Sequence, residues 1–255
     1  MSASLLTSEA ASLPVLTPSV RFPVTICVVC YGQNFTLAER FLTSLYCCTP
    51  VSLFSLRAGL NEVESATQDL FADYAARFGN IECFVEPRNI FKNPLMRRMF
   101  HSRPLESEWV VWCDDDTHFA RADWLHRLAL KIERLPQVAM WGMNHKLWRR
   151  DTAILEWIQA AHWYRGIPWM RGLDLDGKEA VEFHFATGGF WAMRADVIRQ
   201  LNWPDPRLVH ANEDFVLGEA LRQNRLDVGD FRYGVKINDA PRRNADAAEV
   251  RELPN

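Results

Sequence analysis

The chain has 255 residues, of which 48% are apolar and 24% charged, with a formal net charge of −3. That balance suits one large core or two modest ones and excludes a disordered chain. The slightly negative total gives no general attraction to nucleic acid or an anionic membrane, and no apolar run approaches the length of a bilayer span.

Residues 1–20 are rich in Ser, Ala and Thr and carry no Lys or Arg, so they lack the charged start of a signal peptide and read as a flexible leader. Residues 24–30 form a first buried strand, followed by a turn at Tyr31, Gly32, Gln33 and Asn34. Cys27 and Cys30 have the spacing of a metal knuckle, but an offset of three along a strand puts the two thiols on opposite faces. No second pair sits at ligand spacing, so the six cysteines read as reduced, buried thiols of a soluble cytoplasmic protein. Thr36 and Glu39 make a capping box for a helix that turns Leu37, Phe41, Leu42 and Leu45 inward.

A second strand is expected over 51–56, closed by a turn at 57–61, then a helix over 64–78 with Ala66, Leu70, Phe71 and Tyr74 inward. A third strand over 81–85 ends at Pro87, Arg88 and Asn89. Strand alternating with helix predicts a parallel, right-handed α/β sheet. There is no Gly-x-Gly-x-x-Gly after the first strand and no Gly-Lys-Ser/Thr loop, which removes support from dinucleotide and P-loop readings. Arg88, Lys92, Arg97, Arg98 and His101 then crowd one short stretch, either to hold a diphosphate or as a solvated helix face.

Trp109, Val110, Val111, Trp112 and Cys113 run straight into Asp114, Asp115 and Asp116. An apolar run of this kind reads as a strand buried on both faces. Three acids at its end cannot be buried unpaired, so the strand ends at the lip of a cleft, where open α/β sheets bind ligands. Alternation puts Asp114 and Asp116 on one face, placed to share Mg²⁺ or Mn²⁺ with phosphate oxygens. The plainer readings are a solvated acidic turn, or helix capping before Trp124.

A helix over 122–135 and a strand over 138–143 come next, then an irregular insert over 144–181 with a helix near 152–163. Trp163, Trp169 and Trp191 are candidates to stack on a sugar or to fill the core. A strand over 182–186 ends in Thr187, Gly188 and Gly189, where paired glycines admit a ligand to the backbone or make a tight turn. Glu213 and Asp214 open a helix whose apolar stripe is Val216, Leu217, Ala220 and Leu221, and the helix dipole favours acids there whether or not they are functional. A last strand over 232–237 precedes a polar tail.

Together, the first strand with its Tyr31 turn, the Asp114–Asp116 motif, the Gly188-Gly189 loop and Glu213-Asp214 at a helix start resemble a glycosyltransferase of the GT-A fold, family 2-like. The resemblance covers roughly residues 22–240. It implies a Rossmann-like α/β fold with a mixed, mostly parallel central sheet flanked by helices. Residues 21–240 would be one domain, with a nucleotide-sugar half at 21–120, an acceptor half at 121–240 and a tail at 241–255.

By resemblance, Cys30 and Tyr31 line the base, and Asn61 stands where the family often has an acid. Asp114 lies near the ribose or metal with Asp115 beside it, and Asp116 binds Mn²⁺ or Mg²⁺. Gly188 and Gly189 border the donor sugar, Asp214 is the general base, and Glu213 helps position the acceptor. The donor would be a UDP- or GDP-linked nucleotide-diphospho-sugar, and the acceptor a glycan, small molecule, protein or modified nucleic acid. A base opposite the leaving group implies inversion. Two departures stand out: Asn61 is not an acid, and no His follows His210, where many members carry one on the metal or diphosphate. Asn238 or Asp239 stands nearest that place, and the basic stretch with Lys92 and Arg97 is the candidate to compensate. A metal-dependent phosphatase is the rival enzyme, but its motif wants Thr or Val where His118 stands. A non-catalytic sugar- or nucleotide-binding protein is the rival outside catalysis.

Overall fold

The computed structural model describes residues 23–149, 152–168, 180–210 and 213–237. The expected leader and tail, Trp169, Asn238 and Asp239 lie outside them. Strand β1 (Val24–Tyr31) is buried almost throughout. Its side chains alternate as the pleat requires: Ile26, Val28 and Cys30 enter one core, Cys27 and Val29 the other. Helix α1 (Phe35–Cys48) covers the first of these with Ala38, Phe41, Leu42 and Leu45, and Leu37 is buried as well. The expected capping box is not formed. The helix starts at Phe35, which leaves Thr36 inside the first turn, and the Phe35 N–H donates instead to Glu64 Oε1 at 3.2 Å.

Residues 51–53 form a short 3₁₀ turn, and the strand proper, β2 (Phe54–Asn61), continues through the segment expected as a turn. Arg57 and Gly59 suggested a break, yet both fit the strand. The Arg57 guanidinium reaches the backbone carbonyls of Met99, Arg103 and Pro104, and Gly59 lies under Leu95, whose side chain would come within 2.8 Å of an added Cβ. Helix α2 (Ser65–Phe78), strand β3 (Ile81–Glu86) and helix α3 (Lys92–His101) lead to β4 (Trp109–Asp114). After β4 come the short β5 (His118–Phe119), α4 (Trp124–Arg134), β6 (Val138–Arg149) and α5 (Thr152–Gln159).

Next, β7 (Ala180–Arg194) is one long strand rather than two pieces joined by a glycine turn. Gly188 and Gly189 lie inside it because neighbouring side chains fill the space where a Cβ would project. Helices α6 (Ala195–Leu201) and α7 (Glu213–Gln223) and strands β8 (Asp227–Asp230) and β9 (Val235–Lys236) complete the chain. The sheet order is β3-β2-β1-β4-β7-β6-β8, and β5 pairs with β9 apart from it. Only β7 runs against its neighbours β4 and β6, so the sheet is mixed but mostly parallel. Helices α1, α2 and α4 cover one face, and α3, α6 and α7 the other.

Trp163 and Trp191 are buried in the second core, so neither is a sugar platform. The cysteines carry no disulfide, but Cys47 and Cys83 are exposed, contrary to the expectation that all six are buried. Among the described residues no helix is long and apolar enough to cross a membrane.

Candidate active site

Four elements meet at the tip of β4. Lys92, the first residue of α3, extends its ammonium to both Asp114 oxygens at 2.9 and 3.0 Å, to Glu213 Oε1 at 3.1 Å and to the Gly188 carbonyl at 3.4 Å. From the other side, the Gly188 N–H donates to Asp214 Oδ2 at 2.7 Å. The topology explains the meeting. β7 lies beside β4 with Cys113 opposite Phe190, which carries Gly188 and Gly189 past the strand tip. Helix α7 shares a core with β7 and β4, and its first turn brings Glu213 and Asp214 there. Thr117 locks the join by donating from Oγ1 to the Gly189 carbonyl at 2.7 Å.

A side chain at either position would force a neighbour to move. A Cβ on Gly188 would stand 2.5 Å from Asp214 Oδ1 and 3.0 Å from Lys92 Nζ, and one on Gly189 would stand 2.4 Å from Ile237 Cγ2.

The charges are unequal by construction. Burial lifts the Asp214 carboxyl, the Glu213 charge lifts it further, and together they outweigh Lys92 and the Gly188 N–H to bring it up to about 7. Burial acts on Glu213 in the same direction, but Lys92 sits directly on it and holds it below its ordinary range. Burial disfavours the Lys92 ammonium, yet Asp114, Glu213 and Asp214 overcome that and keep it firmly protonated. One acid of the pair is thus held as an anion, and the other is poised to exchange a proton near neutral pH.

The acidic triplet is not arranged as alternation suggested. The strand ends at Asp114, and Asp115 and Asp116 lie in a turn closed by the Thr117 N–H on the Asp114 carbonyl at 3.0 Å. Strand alternation therefore does not put Asp114 and Asp116 on one face. Asp114 is half-buried, whereas Asp115 and Asp116 are buried, and Arg40 donates to the Asp116 carbonyl at 3.4 Å. Among the described residues no group of three or more His, Cys, Asp or Glu is placed to hold a metal ion. Hard carboxylate oxygens from one or two residues still suit Mg²⁺ or Mn²⁺ when phosphate oxygens and water complete the shell. Asp114 and Asp116 supply carboxylates of that kind at this tip, with both Asp114 oxygens also meeting Lys92.

The other expected contacts divide. Cys30 is buried among α1-side apolar residues, and Tyr31 is half-buried at the mouth with Asn34 Nδ2 on its carbonyl at 3.0 Å. Arg97 is no diphosphate ligand, because its guanidinium is engaged by the Asn202 and Pro204 carbonyls and Asn202 Oδ1. Arg98 pairs with Glu86. Asn61 is buried, and its amide serves the loop before α3 rather than facing a ligand. One member of the site was not anticipated: Trp112 donates from Nε1 to Asp114 Oδ1 at 3.2 Å, and its ring lies 5.6 Å from Lys92 Nζ. The period-2 pleat carries that signal, since residues 112 and 114 share a face.

No protein-family model matches the sequence, and no curated protein does. Solved structures do match the architecture. The mannosyltransferase PcManGT from Pyrobaculum calidifontis, solved with GDP-Man and Mn²⁺, aligns at a TM-score of 0.60 and 17% identity, covering 92% of this chain and 61% of that one. TarS from S. aureus aligns at 0.54 and 14% identity, covering 89% of this chain and 38% of that one. The chain therefore spans under two thirds of either structure. The fold is the GT-A type found in glycosyltransferases.

Proposed function

We propose that the chain transfers a sugar from a nucleotide-diphospho-sugar to an acceptor hydroxyl, with inversion. The observation that carries this reading is the placement of Asp214, anchored on Gly188 and separated from Asp114 by a single ammonium, Lys92. An acceptor hydroxyl is a poor nucleophile until a carboxylate takes its proton, and a base near neutrality suits that task. The acceptor oxygen forms a bond to the anomeric carbon as the bond from that carbon to the diphosphate oxygen breaks. The proton goes to Asp214, and the electron pair leaves with the nucleoside diphosphate.

Lys92 supplies positive charge beside the path of the leaving group, and Glu213, held ionised, keeps Lys92 in place and is free to accept from a second acceptor hydroxyl. Asp116 and Asp114 are the residues that would hold Mn²⁺ or Mg²⁺, which when bound neutralises the departing diphosphate. One structural neighbour was solved with GDP-Man and Mn²⁺, which makes GDP-Man with Mn²⁺ the first combination to test.

A thermal-shift screen of UDP- and GDP-sugars, with and without Mn²⁺, tests the reading. The expected result is a metal-dependent rise in Tm with one nucleotide series, lost in Asp116→Ala and kept in Asp214→Asn. Donor stabilisation that survives unchanged in Asp116→Ala would remove the metal assignment. The absence of any response to nucleotide sugars would remove the donor.

A further inference from the structure

The last residue of β2, Asn61, has both ends of its amide engaged. Oδ1 accepts the Ile90 N–H at 3.0 Å, and Nδ2 donates to Asn89 Oδ1 at 2.8 Å. That same Asn89 oxygen accepts the Phe91 N–H at 2.8 Å. Two backbone donors therefore fix which way each amide faces, because an N–H can be met only by the oxygen end. The three bonds pin residues 89–91, and the last of them, Phe91, stands at φ 65° and ψ 166°. This region is open to glycine and strained for a residue with a bulky side chain, so it persists only where the surroundings over-determine it. Immediately after Phe91 comes Lys92.

We propose that Asn61 is a positioning residue: acting through Asn89, it holds Phe91 in this backbone conformation so that Lys92 enters α3 with its ammonium between Asp114 and Glu213. The catalytic consequence rests on the transferase reading, but the placement of Lys92 does not. The same hydrogen bonds explain why an amide stands here instead of the acid that the resemblance would put at this position. A carboxylate at 61 still accepts from Ile90, but its second oxygen faces the Asn89 oxygen. Asn89 must then turn over to donate, and the Phe91 N–H loses its acceptor. Position 61 is thereby committed to delivering a cation to the site.

Amine labelling of the full chain, read residue by residue by mass spectrometry, tests this without any turnover. In Asn61→Asp and in Asn89→Ala, Lys92 should label roughly tenfold faster than in the unmodified protein, as expected when a strained loop is released. Lys131 and Lys236 should keep their rates. Asn89 is less buried than Asn61, so its variant tests the same link with less risk to folding. Wild-type labelling of Lys92 in either folded variant overturns the proposal. So does a uniform rise at all three lysines in both variants, because the loop then merely holds the fold together. Where transfer is measurable, Asn61→Asp should lower kcat in the parent and cost nothing further in a Lys92→Met background. Additive losses would mean that Asn61 does not act through Lys92.

Discussion

The Gly188 N–H and Asp214 Oδ2 lie 2.7 Å apart, and the Lys92 ammonium lies on the carbonyl side of the same glycine at 3.4 Å. A single residue of β7 thus separates the site's acid from its cation.

Asp214→Asn keeps an oxygen for the Gly188 N–H and loses the base. Transfer should fall by at least about 10²-fold, the usual scale for removing a general base, with donor affinity unchanged. A fall in donor affinity of the same size would make Asp214 a binding residue instead.

The same substitution should stabilise the fold, but only at higher pH. The folded-state pKa of Asp214, about 7, lies above the ordinary aspartate value. A raised pKa means that the stability from keeping this carboxyl protonated is present at low pH and is lost as pH climbs through about 7. Asp214→Asn should therefore raise Tm by roughly 2–4 °C at alkaline pH and not at acidic pH. Calorimetry at the two pH values checks it, and an equal gain at both would show that the charge is not responsible.

Activity should rise with pH across the neutral range, because Asp214 must be ionised to take a proton. Lys92 holds that carboxyl down against burial and the Glu213 charge. In Lys92→Met the pH–rate profile should move to higher pH as well as fall in height. A profile that falls without moving would separate Lys92 from the base.

Gly188→Ala places a methyl against both Asp214 Oδ1 and Lys92 Nζ, so either the acid or the ammonium must shift. Displacement of about 1 Å near the chemistry commonly costs about 10²-fold in rate. Gly79→Ala makes a useful contrast: Gly79 has φ +69 with nothing within 4 Å of the added carbon, so its cost should appear in stability and not in turnover.

Arg97→Ala should lower stability by about 1–3 kcal/mol, since it leaves the Asn202 and Pro204 carbonyls without their donor, and should leave donor KM unchanged. Chemical denaturation beside steady-state kinetics distinguishes this from a diphosphate contact.

The residue patterns made the strands legible wherever burial was simple. The unbroken apolar run ending at Asp114 reads directly as a strand buried on both faces, and the opposite faces of Cys27 and Cys30 follow from period 2. Segments whose role is settled by distant partners did not read this way. Arg57 and Gly59 resemble a turn until the carbonyls of Met99, Arg103 and Pro104 and the side chain of Leu95 are in view. Gly188 and Gly189 resemble a break until Asp214 and Ile237 are seen to fill the space beside them. Among the charged residues, Lys92 and Arg97 lie five positions apart on one helix, yet one enters the site and the other holds α6. Composition cannot separate them. Only the direction in which α3 leaves Phe91 does.

The Lys92 ammonium touches two carboxylates, Asp114 at the tip of β4 and Glu213 at the start of α7. A ligand that draws this charge toward one of them withdraws it from the other, so ligands bound at the two acids cannot be independent. Thermodynamic reciprocity then requires each to alter the affinity of the other by the same factor, a coupling carried by a single side chain.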